Sequence, residues 1–143
     1  SYLSVPFILK GIMNTKSALA AIEAGADAIV VSNHGGRVMD TMPGTAEVLP
    51  EIASAVAGRV KILVDGGVRE GIDILKMLAL GADAVMIGRP ICIAAFGAAQ
   101  EGVEFYLDQK RNELKKAMIL TGCPDINHID PSVIVRDSKG QLR

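Results

Sequence analysis

Gly25-Ala26-Asp27-Ala28-Ile29-Val30 returns further along the chain as Gly81-Ala82-Asp83-Ala84-Val85-Met86. Each copy opens with a glycine suited to ending a helix and runs on into apolar residues without polar alternation. Strands of that kind are buried on both faces, as in a parallel sheet covered by helices. Pro6-Phe7-Ile8-Leu9-Lys10 and Val60-Lys61-Ile62-Leu63-Val64 read as two further strands. Helices fit between them. Asn14 is placed to cap one through Ala18, Leu19 and Ile22 that ends at Gly25. Thr45 is placed to cap a second through Val48, Leu49, Ile52 and Val56, stopping at Gly58. Pro50 inside that span marks a kink or a later helix start. A third helix, from Glu70, turns Ile72, Leu75 and Leu78 inward and ends at Gly81, before a strand through Ile87. A last helix spans roughly Ala98 to Thr121, with Val103, Leu107, Leu114 and Met118 as its buried stripe. From Pro124 the chain is polar and aperiodic, which predicts a surface extension over 124–143 or partial disorder.

This β-α alternation fits either an open doubly wound sheet or a β/α barrel. The polar residues favour the barrel. Lys10, His34, Arg37, Asp65, Arg69 and Arg89 all fall at or just after the C-terminal ends of the expected strands, the face on which barrel chemistry gathers. A full barrel takes eight such units and about 250 residues. The sequence offers four, so the expectation is one α/β domain over 1–143, the C-terminal half (strands five to eight) of a TIM barrel.

Composition narrows the function classes. Half of the 143 residues are hydrophobic but only 3% are aromatic, so aliphatic residues must build the core. A net charge of −1 gives no case for nucleic acid as a partner. No apolar stretch reaches the length of a membrane span, and the start lacks the features of a secretory signal, so a soluble, cytoplasmic protein is expected. Cys92 and Cys123 have no metal-like spacing and read as buried, reduced thiols; no metal is expected.

The chemistry concentrates in Ser32-Asn33-His34-Gly35-Gly36-Arg37, directly after the second strand. An imidazole can take a proton near neutral pH. A guanidinium grips a carboxylate through two parallel hydrogen bonds, and two glycines let a flat ligand approach the backbone. Together they point to an acid-bearing substrate oxidised beside a cofactor. With Lys10-Gly11, Asp65-Gly66-Gly67-Val68-Arg69 and Gly88-Arg89-Pro90, this motif resembles the FMN-dependent α-hydroxy acid dehydrogenases and oxidases. That family includes glycolate oxidase, lactate oxidase, flavocytochrome lactate dehydrogenases and mandelate dehydrogenase. The likeness covers residues 6 to 128, and the histidine motif is its specific part.

The resemblance implies FMN as cofactor and oxidation of a small L-2-hydroxy acid to the 2-oxo acid. His34 is then the base and Arg37 the carboxylate ligand. Lys10 and Ser32 would lie at the pyrimidine end of the flavin ring, and Asp65 would accept hydrogen bonds from the ribityl hydroxyls. Gly66, Gly67 and Gly88 would bring N–H groups to the phosphate, with Val68 in the same cofactor loop, and Arg69 and Arg89 would neutralise it. Asp40 and His128 match nothing in the pattern. Val38-Met39 depart from the Gln-Leu of many relatives, a change at the pocket rim. The family's acidic partner for the histidine, and its pocket tyrosines, belong to an N-terminal half that precedes this stretch. The 143 residues alone are therefore expected to be inactive, and to form a homo-oligomer or pair with that half. Competing readings are another FMN or phosphate barrel, such as a type 2 isopentenyl diphosphate isomerase or a nucleotide dehydrogenase, and a non-catalytic half-barrel.

Overall fold

Residues 4–137 are described by a computed structural model. They fall into two compact units. One comprises the chain up to Gly67 together with Leu80–Met86; the other comprises Val68–Ala79 and the chain from Ile87 onward.

The first unit holds a parallel sheet in the order β1 (Ile8–Ile12), β2 (Ala28–Val31), β3 (Lys61–Val64), β4 (Ala84–Val85). Its helices are α1 (Thr15–Glu23) and α2 (Thr45–Val56), which pack on each other and meet β1 and β3 respectively. Asn14 caps α1 as expected, its side chain accepting the Ser17 N–H at 2.8 Å. Ala18, Ala21, Ile29, Val31, Leu49, Ile52, Val56 and Val64 form the core, each at most 2% exposed. Full burial of each larger aliphatic is worth about 1.5–3 kcal/mol.

Several expectations need correction here. Only β2 is buried along its whole length; β3 alternates, and β1 and β4 are largely exposed, because they are the sheet's edges. The first strand runs on past Lys10 to Ile12, with Gly11 as an extra residue where the register shifts, so Lys10 lies within the strand. The fourth strand stops at Val85 rather than Ile87. Thr45 is the first residue of α2, not its cap, and the helix runs through Pro50 to end on a left-handed Ala57.

The second unit holds α3 (Gly71–Ala79) and α4 (Arg89–Thr121). The helix expected from Ala98 is preceded by an unforeseen helical stretch from Arg89, with Gly88 before it and Pro90 in its first turn, where a missing N–H does no harm; the expected start falls on the break between the two. The break lies at Ala98–Ala99, and the two parts cross tightly. A Cβ on Gly102 would stand 2.2 Å from the Ala94 carbonyl oxygen. Cys92 is exposed, contrary to expectation, because Ile91-Cys92-Ile93 belongs to this helical start and not to a buried strand end. Of the expected stripe Val103, Leu107, Leu114 and Met118, Leu107 is exposed, and Ala117 and Lys110 are the buried positions. Leu75, Ala117 and Cys123 form the core of the unit. Ile129 and Val133 pack against them, so the tail is docked as far as Val133; its last residues, 138–143, lie outside the described part.

Candidate active site

In the first unit a hydrogen-bonded network joins the C-terminal parts of β1, β2 and β3. The Lys10 ammonium donates to Ser32 Oγ at 2.8 Å and forms a close ion pair with Asp65 Oδ2. Ser32, 2% exposed, also accepts the His34 backbone N–H at 3.2 Å. The serine hydroxyl thus ties the lysine of β1 to the turn that carries the histidine.

That turn, His34–Gly36, has positive φ at three successive residues: 60° at His34, 67° at Gly35 and 73° at Gly36. Two glycines take this conformation without strain; the histidine does not. Asn33 holds the turn, accepting the Gly35 N–H at 3.1 Å and donating to the Pro43 carbonyl at 3.2 Å. His34 and Arg37 both reach solvent, and Arg37 Nε points back to the His34 carbonyl at 3.4 Å. Arg37 forms no ion pair among the described residues.

Beyond β3, Asp65 keeps Oδ1 buried with no hydrogen-bond partner, the only such side-chain atom among the described residues. Thr45, expected only as a helix cap, reaches this loop as well. It is 3% exposed, its hydroxyl donates to the Asp65 carbonyl at 2.6 Å, and a Cβ on Gly66 would lie 2.8 Å from that hydroxyl oxygen. Gly66, at φ 101°, is therefore demanded twice, by conformation and by space. Only a three-dimensional contact reveals Thr45, since a threonine at the start of a helix carries no signal for a loop 20 residues away.

In the second unit Val68 is buried at 4%, so its backbone alone could meet a ligand. Arg69 is exposed and forms no side-chain ion pair among the described residues. Gly88 and Arg89 are exposed at the start of α4. Remote from these positions in sequence, His128 pairs with Asp125 at 2.8 Å, and that hydrogen bond holds the Asp125 carboxyl below the usual range. No helix of the described residues is long and apolar enough to cross a membrane.

The fold is α/β with a parallel sheet, and polar side chains gather near its strand ends. The chain belongs to the FMN-dependent dehydrogenase family, whose model matches residues 1–136. It is 48% identical over 129 residues to a peroxisomal (S)-2-hydroxyacid oxidase of Arabidopsis thaliana, covering 90% of this chain and 36% of that protein. To the L-lactate oxidase of Lactobacillus jensenii it is 53% identical, covering 88% and 32%. Solved mandelate oxidase with benzoyl-formic acid superposes with a TM-score of 0.87 at 45% identity, covering 91% of this chain and 39% of that one. A mandelate oxidase variant with a monooxide FMN adduct gives the same score and identity, with 90% and 41% covered. The fold is thus part of a TIM barrel, and the chain spans about a third of the length of the curated relatives it matches. Those relatives are 2-hydroxy acid oxidases and dehydrogenases, and the family's cofactor is FMN.

The residues present fit that cofactor. In the first unit, a buried carboxylate oxygen without a donor is what a polyol chain can satisfy; in the second, an exposed arginine with no ion pair among the described residues is suited to a phosphate.

Proposed function

We propose that the complete protein carrying this chain oxidises a small L-2-hydroxy acid to the 2-oxo acid. When bound, FMN accepts the electrons that the substrate's α-carbon loses. His34 takes the accompanying proton on its imidazole, and Arg37 fixes the carboxylate through its planar fork. Fixing the acid end also orients the α-hydrogen, which is where most of the gain from positioning arises. Lys10, held by Ser32 and Asp65, supplies a cation for negative charge that develops on the flavin ring. Asp65 Oδ1 accepts from the ribityl chain. Gly66 and Gly67, with Val68 in the same loop, present N–H groups to the phosphate. Arg69, Arg89 and the Gly88 N–H serve the phosphate as well.

The observation that carries this reading is the Ser32 hydroxyl, which accepts from Lys10 and from the His34 backbone together. A surface-loop histidine would need no such tether to a cation of the sheet. The test is His34→Ala in the complete, FMN-loaded protein, mixed anaerobically with lactate or glycolate. Flavin reduction is expected to slow by roughly 10²–10⁴, with FMN content unchanged. Reduction at the wild-type rate would remove His34 as the base.

The same reading holds that these 143 residues do not turn over a hydroxy acid by themselves. β1 and β4 end the described sheet on either side, and Ile8 and Met86 near those edges are 50% and 37% exposed. Unpaired edges of this kind recruit other chains. Either the remainder of a barrel or a second copy would cover them.

A further inference from the structure

The second unit contains a buried charge that the proposed chemistry does not use. Lys110 of α4 is 7% exposed, and its ammonium donates to both oxygens of Glu113, at 2.6 and 2.7 Å. It also stands 5.1 Å from the centre of the Tyr106 ring, within reach of a cation–π attraction. A buried lysine is costly unless its charge is paired and hydrogen-bonded, as this one is.

The partners of this cluster lie in one short segment, Arg69-Glu70-Gly71. Glu113 Oε2 accepts the Gly71 N–H at 2.8 Å, and the Tyr106 hydroxyl donates to the Arg69 carbonyl at 3.2 Å. Asp73 closes the other side, its Oδ2 accepting the N–H groups of Arg69 and Glu70 at 3.0 Å each. Gly71 permits the approach, since a Cβ there would fall 2.2 Å from the Leu114 backbone nitrogen. Both backbone polar groups of Arg69 are thereby fixed, while its guanidinium is exposed and has no ion pair among the described residues. A loop arginine with a pinned backbone and a free fork is preorganised for an anion.

We propose that Tyr106, Lys110 and Glu113 are positioning residues that clamp the Arg69 backbone so that its guanidinium meets the FMN phosphate. The proposal rests on the reading of Arg69 as a phosphate ligand. Lys110 acts by fixing the Glu113 carboxylate and the Tyr106 ring, and those two hold the loop.

Riboflavin, which lacks the phosphate, separates this role from general stability. Apoprotein of the complete chain is titrated with FMN and with riboflavin, following flavin fluorescence, for wild type, Arg69→Ala, Tyr106→Phe, Glu113→Gln and the Arg69→Ala/Tyr106→Phe pair. Tyr106→Phe should weaken FMN about fivefold, the worth of one hydrogen bond, and leave riboflavin unchanged. On top of Arg69→Ala it should cost nothing further. Glu113→Gln should act in the same sense and more strongly; if it does not fold, Tyr106→Phe carries the test. Equal weakening of FMN and riboflavin, or a further loss on top of Arg69→Ala, would overturn the clamp. Unchanged preference for FMN in Arg69→Ala would instead overturn the phosphate reading, and the clamp with it.

Discussion

The two copies of the glycine-led hexapeptide make nearly the same backbone contacts and end in different surroundings. In the first, Asp27 exchanges hydrogen bonds with Phe7: its carboxylate accepts the Phe7 N–H at 2.7 Å, and its N–H donates to the Phe7 carbonyl at 2.8 Å. In the second, Asp83 does the same with Ile62, at 2.9 and 2.8 Å. Each aspartate thus locks the start of its own strand to the start of its neighbour. After that the copies diverge. Ile29 is fully buried in a strand with partners on both sides, whereas Val85 is half-buried in a two-residue strand that pairs only with β3. Local sequence decides how a strand begins; neighbours decide how far it goes and how much it buries.

The largest effect should come from truncating the equivalent apolar positions. Ile29→Ala is expected to cost 2–5 kcal/mol in urea unfolding, because it empties a packed site. Val85→Ala in the isolated 143 residues should cost less than half as much. Equal costs would mean that β4 has a partner beyond the sheet described here, and repeating the pair in the complete protein tests whether the rest of the barrel supplies one.

A second contrast concerns what each strand leads to. The chain after β2 reaches His34, and the chain after β4 reaches Arg89. Arg89→Glu should release FMN during purification, with affinity reduced by at least tenfold, since a charge-assisted bond is worth about 1.5–3 kcal/mol. Undiminished flavin content would separate Arg89 from the phosphate and leave the two strand exits without a division of labour.

The smallest effect lies in the aspartates. Burial alone would raise the Asp83 carboxyl, but hydrogen bonds from Lys61 and Ile62 and the Lys61 charge outweigh it and hold the group below the usual range. A carboxyl lowered in the folded state contributes stability above the unfolded value, and that contribution is lost as pH falls through the folded value. The Lys61 pair is largely exposed, so the contribution is about 0.2–1 kcal/mol. Asp83→Asn should flatten the acid limb of stability below about pH 4. An unchanged acid limb would show that the Asp83 carboxylate adds nothing to the strand start it bonds.

The sequence made the strand starts, the cap of α1 and the strand-exit motifs legible, because each depends on residues close in the chain. What it hid depends on contacts across the fold. Lys110 escaped because a cation on a helix reads as a solvated face until Glu113 and Tyr106 are seen beside it. The helical stretch from Arg89 escaped because Gly-Arg-Pro reads equally as a loop, whereas the helix start expected at Ala98, just after Gly97, coincides with the break. The Thr45 contact escaped because its partner is the carbonyl of a distant loop. The roles proposed for His34 and Arg37 rest on a motif, and the geometry adds the Ser32 tether, which no spacing rule contains.

The turn at His34–Gly36 has a consequence in terms of chirality. For three residues the backbone follows the hand that L-amino acids disfavour by roughly 1–2 kcal/mol each, and two of the three are achiral. The histidine is the one chiral centre in a segment of mirror-image sense. D-alanine in place of Gly35 or Gly36 would match that sense, and L-alanine would oppose it. The imidazole is aimed by handedness, and a substitution that let the turn relax to the ordinary hand would turn it elsewhere without touching the ring itself.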